Sequence, residues 1–295
     1  MLLFFSLISN AIKSIGSFIG DNTGIIVFGL FSYIFIAGGL YFVFYFWKQK
    51  ELWKAKIQVN FPSHKHAIRD IKYSFSSLIV FGIVVLPIAW AKKHGLTLIY
   101  TPIDKYGYVY YFFSIFLMVI VHDTYFYWTH RLLHWKKIFK WTHQTHHLTH
   151  NPTPFSAYAF HPIEALVQVG IVPLIVFTIP AHISAIAIFL IHQMFLNVFG
   201  HLGYEMAPKS IRNKFFKWSN TATHHNMHHT NVKYNFGLYF NFWDKIMHTN
   251  HPHYEDNFDK VIARKLGKDI PKTSAVPKEE KINGSPKKSL IKEHL

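Results

Sequence analysis

Three long apolar segments, residues 24–47, 73–90 and 108–129, restrict the folds that are open to this sequence. Each is long enough to cross a lipid bilayer as a single helix, because about 20 apolar residues span the hydrocarbon core. Half of all residues are hydrophobic, 18% are aromatic and the mean hydropathy is +0.13, which is unusual for a soluble protein of 295 residues. The pattern therefore predicts an integral membrane protein with several spans.

Two further apolar segments, residues 163–180 and 182–200, predict a helical hairpin that enters the membrane and returns, because the turn between them is short. The loop 48–72 carries seven Lys or Arg residues, against three in the loop 92–107. Positively charged loops tend to stay in the cytoplasm, which places the loop 48–72 there. We predict an all-α, polytopic membrane protein with about three full spans plus the hairpin and a cytoplasmic helical cap.

The chain divides into four regions by composition. We predict an interfacial N-terminal helix over residues 1–23, two spans with their loops over 24–107, a catalytic domain over 108–266 and a disordered basic tail over 267–295. The net charge of +16 suits anionic lipid headgroups, and no nucleic-acid-binding motif interrupts the apolar segments. We therefore expect the lipid bilayer, and no nucleic acid, as a partner. Cysteine is absent, which excludes disulfides and thiolate metal sites.

Histidines are grouped at helical spacing in three separate segments, which we call histidine boxes. The first box contains His130 and His134, the second His143, His146 and His147, and the third His225, His228 and His229. Side chains three or four residues apart share a face of a helix, so we expect each box to present its imidazoles in one direction. The predicted topology places all three boxes on the cytoplasmic side, where they can meet. Imidazole is a common ligand of first-row metals, and these histidines are enough for two metal ions.

The number of histidines favours a pair of iron ions over a structural metal. Structural zinc needs about four ligands in a closed tetrahedron, and the boxes exceed that need. Imidazole also binds copper, nickel and zinc, so the ligands alone do not select iron. A membrane metal transporter is the alternative from a different class, but transporters place ionisable ligands within their spans. The segments 24–47 and 73–90 contain neither charge nor histidine.

At these boxes the sequence resembles the fatty acid hydroxylase/sterol desaturase superfamily of membrane di-iron enzymes. The matching segments are HDTYFYWTHR at 122–131, NPTPF at 151–155, AFHPIE at 159–164, NVFGH at 197–201 and HHNMHHTNVKYNFG at 224–237. The resemblance covers residues 108–249, and its Pro-Thr-Pro and His-Pro-x-Glu segments are most similar to the sterol C-5 desaturase (lathosterol oxidase) branch. One departure is visible, because His248 precedes Thr249 where the family usually has glycine.

The resemblance implies a role for each matching residue. All the box histidines match metal-ligand positions, and so does His201 at the end of the hairpin. Asn197 occupies a position where some relatives carry histidine, and we expect it to act through water. The remaining matches are expected to surround and orient the ligand imidazoles, His161 and His224 as neighbours and Asp123 and Glu164 as hydrogen-bond acceptors. No catalytic acid or base is expected apart from the metal ligands.

The function implied by the resemblance is oxidation of a lipid at an unactivated C–H bond. Two iron ions would use dioxygen and two electrons to desaturate or hydroxylate the substrate, for which a sterol-type lipid is favoured. Hydroxylation of a fatty acyl, sphingoid, ether lipid or carotenoid substrate is the alternative within the superfamily. Electrons are expected from a separate donor, such as a cytochrome b5-like protein, a ferredoxin or a reductase. Composition favours a bacterial inner membrane over the endoplasmic reticulum, with the boxes and the C-terminus in the cytoplasm.

Overall fold

The computed structural model describes residue 20 and residues 22–213 and 216–268. The predicted interfacial helix over residues 1–23 and the predicted tail over 267–295 lie almost entirely outside these described residues. The division of the chain into four regions stays a prediction.

The described residues form twelve helices and one pair of short strands, and the first helix is π-helical over Ile34–Gly38 and Phe42–Trp47. The helices are α1 (Asn22–Trp47), α2 (Gln49–Leu52), α3 (His64–Lys93), α4 (Gly107–Leu133), α5 (Lys136–Thr142), α6 (Gln144–His147), α7 (Pro162–Val169), α8 (Ile171–Thr178), α9 (Ile183–Gly200), α10 (Ala222–Thr230), α11 (Phe242–Ile246) and α12 (Tyr254–Lys265). The strands are β1 (Ile99–Tyr100) and β2 (Ala181–His182), and turns of 3-10 helix cover Trp53–Ala55, Ile103–Lys105, Pro154–Tyr158 and Lys209–Arg212.

Four of the described helices, α1, α3, α4 and α9, are long and apolar enough to cross a membrane. The prediction of an all-α, polytopic membrane protein is therefore confirmed. The first arm of the predicted hairpin is divided at Gly170 into α7 and α8, whereas the second arm, α9, is 18 residues long and can span by itself. Three predicted spans plus a hairpin thus become four helices of spanning length and one shorter apolar pair.

The helix α3 begins at His64, well before the predicted start of its apolar segment at residue 73. Ser63 caps its first turn, with Ser63 Oγ accepting a hydrogen bond from the backbone N–H of His66 at 3.4 Å. Hydropathy detects only the apolar part of a helix, so the polar first turns of α3 were interpreted as a loop.

The charges that were assigned to the loop 48–72 are distributed differently in the structure. Three of them, Lys65, Arg69 and Lys72, lie on the first turns of α3. Lys56 is buried, and its Nζ donates to the Gly203 carbonyl at 3.2 Å. The cytoplasmic placement of this region rested on those charges and stays a prediction.

The strand pair attaches the turn of the apolar hairpin to the segment between α3 and α4. Ile99 pairs with Ala181 and Tyr100 with His182, in parallel register. His182 also caps α9, because its Nδ1 accepts from the backbone N–H of Ser184 at 3.2 Å. The predicted tight turn is thus fixed by its pairing with β1 and by the cap on the first turn of α9.

The largest buried cluster lies between α4, α8 and α9. Met118, Ile175 and Phe189 are its least exposed large side chains. By contrast, large apolar side chains such as Phe35 on α1 and Val109 on α4 are exposed, Val109 to 89%. An apolar outer surface of this kind is what contact with lipid tails requires.

Asp70, on the second turn of α3, is buried and binds the segment that follows the second box. Its carboxylate accepts from Thr149 Oγ1 at 2.8 and 2.9 Å and from Ser156 Oγ at 2.7 Å. Arg69 donates to the same carboxylate at 3.1 Å. The Thr149 carbonyl in turn accepts from Nδ1 of His229 at 2.8 Å. A helix without a histidine box therefore positions the third box through one side chain.

Replacing Asp70 with alanine should lower the free energy of unfolding by about 3–5 kcal/mol, because two buried hydroxyls and Arg69 lose their charged acceptor. Denaturant unfolding of the detergent-solubilised protein measures the change. The control is Asp104→Ala, which removes an exposed aspartate before α4 and should change stability by no more than about 0.5 kcal/mol. Equal stability of the two variants would show that the Asp70 contacts contribute nothing.

Candidate metal centre

All nine histidines that were predicted as ligands lie together in two adjoining groups. The five-histidine group contains His130, His134, His143, His147 and His228, and the four-histidine group contains His146, His201, His225 and His229. Each ring offers one nitrogen atom as a possible metal ligand. Within each group, all of these nitrogen atoms lie within 4.8 Å of one another. Two nitrogen ligands that are each about 2.1 Å from one ion are at most about 4.2 Å apart. Both groups are therefore nearly as compact as a loaded metal site.

The second and third boxes each divide between the two groups. His143 and His147 belong to the five-histidine group, whereas His146 belongs to the four-histidine group. The third box divides in the same way, into His225 and His229 against His228. Residues four apart on a helix differ in direction by only about 40°, but adjacent residues differ by about 100°. The second and third boxes therefore each present imidazoles in two directions, whereas we expected one direction for each box.

The ligand histidines lie at the ends of helices, where the chain can turn toward a common point. His134 directly follows α4, His201 directly follows α9, and His143 separates α5 from α6. His130 lies in the last turn of α4, one helical turn before His134. The ends of the long helices α4 and α9 thus place their histidines next to those of α6 and α10.

Hydrogen bonds at Nδ1 orient five of the nine rings. The Nδ1 atoms of His130, His201, His228 and His229 donate to the backbone carbonyls of Phe236, Asn197, Tyr234 and Thr149, at 2.9, 2.7, 2.6 and 2.8 Å. Nδ1 of His143 donates to Glu164 Oε1 at 2.5 Å, and Glu164 is fully buried. A proton held on Nδ1 leaves the lone pair of Nε2 available to a metal ion.

Burial keeps the ligand rings outside the spanning helices uncharged. It lowers the pKa well below 6.5 for His134, His143, His146, His147, His225, His228 and His229. Repulsion between neighbouring imidazolium charges lowers the pKa of these rings further. The pKa of His201 falls to about 4, again chiefly because the ring is buried. At pH 7 these imidazoles are neutral, which is the form that binds metals.

The arrangement of the ring nitrogens tests whether these residues fit metal ions. Nε2 of His130 and Nε2 of His143 are 3.0 Å apart, although each ring already holds its proton on Nδ1. Two lone pairs that face each other repel unless a cation lies between them. In addition, Nε2 of His228 and of His229 are buried and have no hydrogen-bond partner among the described residues. Buried polar atoms are normally paired, so the donor set fits bound cations.

Two of the other predicted site residues orient a ligand directly, and one does not. Glu164 contacts His143, as described above. Asn197 orients His201 through its backbone carbonyl, which accepts from His201 Nδ1 at 2.7 Å, while its side chain donates to the Ala157 carbonyl at 3.0 Å. Asp123 accepts from the backbone N–H groups of Tyr239 and Phe240 at 2.8 and 3.2 Å. Asp123 therefore holds the loop after Phe236 and contacts none of the nine ligand rings.

His161 and His224 take different positions relative to the two groups. His161 is at the start of α7, where its Nδ1 accepts from the backbone N–H of Ile163 at 3.3 Å. It caps a helix and belongs to neither group. His224 is fully buried beside the third box, with Nε2 3.7 Å from Asp244 Oδ2 and its ring edge-on to Tyr254. His224 thus lies beside the third box and belongs to neither group.

The sequence pattern missed Asp244, which supports the acceptor of His130. Its carboxylate accepts from the backbone N–H groups of Phe236 and Gly237 at 2.9 and 2.7 Å, and from Thr249 Oγ1 at 2.8 Å. A Cβ atom at Gly237 would clash with the Phe240 carbonyl and approach Asp244, so this loop requires glycine. The carbonyl acceptors themselves carry no sequence signal, because every residue has a carbonyl.

The departure at His248 is explained by its backbone conformation. His248 has a φ of 55°, in the left-handed region that glycine adopts without a steric penalty. The turn is nevertheless closed, because the backbone N–H of Thr249 donates to the Asp244 carbonyl at 2.8 Å. The local geometry that glycine favours is therefore present with histidine in its place.

An apolar cavity of about 820 Å³ lies next to the side chains that cover the two groups. Its inner wall includes Phe126, whose ring centroid is 4.9 Å from that of His130, and Phe160, at 5.3 Å from His146. Its outer wall is formed by α1 and α3, where the lining residues Phe28 and Ile83 are more than half exposed. The cavity therefore extends from the aromatic side chains that cover the histidine groups to the apolar outer surface between these two helices.

The sequence is similar to one known protein family and to several sterol-modifying enzymes. The fatty acid hydroxylase family matches residues 115–249. A Delta(7)-sterol 5(6)-desaturase of Gibberella zeae is 30% identical over 179 residues, which is 59% of this chain and 54% of that protein. Lathosterol oxidase of Rattus norvegicus is 29% identical over 183 residues, or 60% and 59% of the two chains.

A third relative is named for a different activity on sterols. The C-4 methylsterol oxidase of Schizosaccharomyces pombe is 34% identical over 158 residues, which cover 52% of this chain and 50% of that protein. The chain thus spans between about half and three fifths of the length of these curated relatives. No solved structure matches the chain significantly. The matched segment, 115–249, contains all nine histidines of the two groups, and over this segment the chain is similar to the fatty acid hydroxylase family.

Proposed function

We propose that this protein is a membrane di-iron enzyme that desaturates or hydroxylates an unactivated C–H bond of a sterol-type lipid, using dioxygen and two electrons. The observation that carries the proposal is the pair of buried, neutral histidine groups at the inner end of an apolar cavity. Such a site brings a dioxygen-activating metal pair and a lipid to the same place.

The five-histidine group and the four-histidine group would each hold one iron ion. Iron bound there would supply the oxidising power, since it reduces dioxygen with two external electrons and so permits removal of hydrogen from a C–H bond. Desaturation would remove two hydrogen atoms from the substrate, whereas hydroxylation would insert one oxygen atom into a C–H bond. The two outcomes share the first hydrogen removal, so the same ligand set serves both.

The protein side chains contribute orientation and the exclusion of water. Glu164 Oε1 keeps the proton of His143 on Nδ1, which directs Nε2 toward the metal position. Phe126 and Phe160 are both less than 10% exposed and cover the rings of His130 and His146 on the cavity side. A dry apolar wall of this kind protects a reactive oxidant from side reactions with water.

The names of the relatives support a sterol-type substrate. The cavity volume of about 820 Å³ corresponds to roughly 27 water-sized groups at about 30 Å³ each, which is the size of a lipid with a similar number of heavy atoms. A fatty acyl, sphingoid, ether lipid or carotenoid substrate is the alternative. Product analysis distinguishes these classes.

We propose a separate electron donor of acidic surface charge, such as a cytochrome b5-like protein, a ferredoxin or a reductase. Lys136, Lys137 and Lys140 on α5 are exposed and lie next to the second box. Cationic side chains at this position complement an acidic carrier and steer its encounter with the metal centre.

The proposed function is tested with the full chain in lipid nanodiscs, loaded with ferrous iron and supplied with a chemically reduced ferredoxin. Oxygen uptake should depend on an added lipid, and mass spectrometry should detect a product with two hydrogens fewer or one oxygen more. His228→Ala should abolish uptake, whereas His94→Ala, an exposed histidine, should not. Metal transfer across vesicle membranes without lipid-dependent oxygen uptake would instead support a transporter.

Replacing Glu164 with glutamine should lower the affinity for iron about 10- to 100-fold. The neutral amide is a weaker acceptor for His143 Nδ1 than a carboxylate, so the ligand loses both basicity and orientation. Iron content after equilibration with a graded series of chelator concentrations measures the affinity.

The matched control for this variant is Glu51→Gln, because the Glu51 side chain is 65% exposed and pairs with Lys48. Its iron affinity should equal that of the unchanged protein. If Glu164→Gln retained iron as tightly as this control, the carboxylate would have no role in positioning the ligand.

A further inference from the structure

Seven polar residues line the largely apolar cavity, and we call four of them the polar collar. They are His122 on α4, Tyr158 at the end of a 3-10 turn, Gln168 on α7 and Gln193 on α9. None of them is among the nine metal-ligand histidines. Three different helices and one turn thus direct a polar side chain toward the same apolar space.

The hydrogen bonds within the polar collar leave several polar atoms unpaired. Gln193 Nε2 donates to Tyr158 Oη at 2.8 Å, while Gln193 Oε1 has no partner among the described residues. The side-chain amide of Gln168, which is only 9% exposed, makes no hydrogen bond within the described part of the chain. An amide without a hydrogen-bond partner is unfavourable in an apolar environment, so a bound molecule with a complementary polar group is expected here.

The position of the polar collar relative to the metal centre follows from helix geometry. Gln168 is one turn beyond Glu164 on α7, or about 6 Å along the axis. Gln193 and His122 are each two turns before a ligand, His201 and His130, or about 12 Å along the axis. A polar group bound by the collar therefore lies within one to two helical turns of the histidine groups.

The charges around the cavity indicate which polar group is bound. Among the described residues that line the cavity, Lys92 is the only lysine, arginine or acidic residue. Lys92 is at the end of α3, seven residues before β1, and β1 pairs with β2 at the start of α9. The first residue of α9, Ile183, is about 15 Å along the helix axis from Gln193. The polar collar thus offers neutral donors and acceptors without a cation, which suits a hydroxyl or keto group better than a carboxylate.

We propose that the polar collar binds the single hydroxyl or keto group of an apolar lipid and so determines which C–H bond is held at the metal centre. Tyr158 can donate to the bound oxygen, Gln193 Oε1 can accept from a hydroxyl, and the Gln168 amide can do either. Because the collar is close to the histidine groups, the oxidised carbon lies near the oxygen-bearing carbon of the lipid. The proposal rests on the proposed function, since it assigns these side chains to the substrate of that site.

The test compares ligand pairs that differ only in the hydroxyl group. The probes are a 3-hydroxy sterol with its 3-deoxy hydrocarbon, and a long-chain alcohol with the corresponding alkane. Their dissociation constants are measured on the iron-loaded protein in nanodiscs, without an electron donor, by competition with a fluorescent lipid. The variants are Gln168→Met, Gln193→Met and the double variant, and the control is Leu190→Met, which changes an apolar lining residue.

The unchanged protein should bind the hydroxylated member of at least one pair about tenfold more tightly than the deoxy member. The double variant should reduce this ratio to about one, whereas Leu190→Met should preserve it. The same double variant should oxidise a hydroxylated substrate at a wider range of carbon positions. Retention of the tenfold ratio in the double variant, or a ratio of one in the unchanged protein because the amides bind only water, would overturn the proposal.

The outcomes separate this proposal from the proposed function. A protein that discriminates the hydroxylated lipid, loses this in the double variant and yet oxidises no lipid would support the polar collar and contradict the oxygenase. A protein that oxidises hydroxylated and deoxy lipids with equal affinity and equal positional selectivity would support the oxygenase and overturn the collar.

Discussion

The structure depends on one electrostatic constraint, which is the convergence of neutral imidazole lone pairs in a buried space. His130 and His143 each hold a proton on Nδ1, and their Nε2 atoms face each other at 3.0 Å. A bound cation turns that repulsion into coordination. Metal binding and folding of the cap are therefore expected to be coupled, since the same contacts serve both.

The supporting contacts extend far from the ligands in sequence. Asp70 on the second spanning helix positions Thr149, which orients His229, and Asp244 positions Phe236, which orients His130. Each aspartate thus fixes a backbone carbonyl, and that carbonyl holds an imidazole ring from a different helix. Because the acceptors are mostly backbone carbonyls, the rings are held by the fold as a whole and not by one adjacent residue. The apolar cavity then approaches this ordered centre from the lipid side.

The sequence was sufficient for the features that depend on periodicity, and insufficient for those that depend on tertiary direction. Long apolar segments revealed the spanning helices, but α3 begins at His64 because its polar first turns are invisible to hydropathy. Histidine spacing and family resemblance together identified nine rings that lie together, but not their division, which sends His146 away from His143 and His147. The positions of Asp123 and Asn197 could not be derived either, since each depends on which backbone group lies within reach.

The central claim is that nine histidines hold two iron ions in adjoining, sulfur-free sites. The most direct measurement is iron quantification together with X-ray absorption spectroscopy on the purified full chain after loading with ferrous iron. The account predicts two iron ions per chain, each surrounded by nitrogen and oxygen ligands, and a second-shell iron signal from the neighbouring ion. A preparation that oxidises lipid at its full rate with one iron ion per chain, or with none, would contradict it.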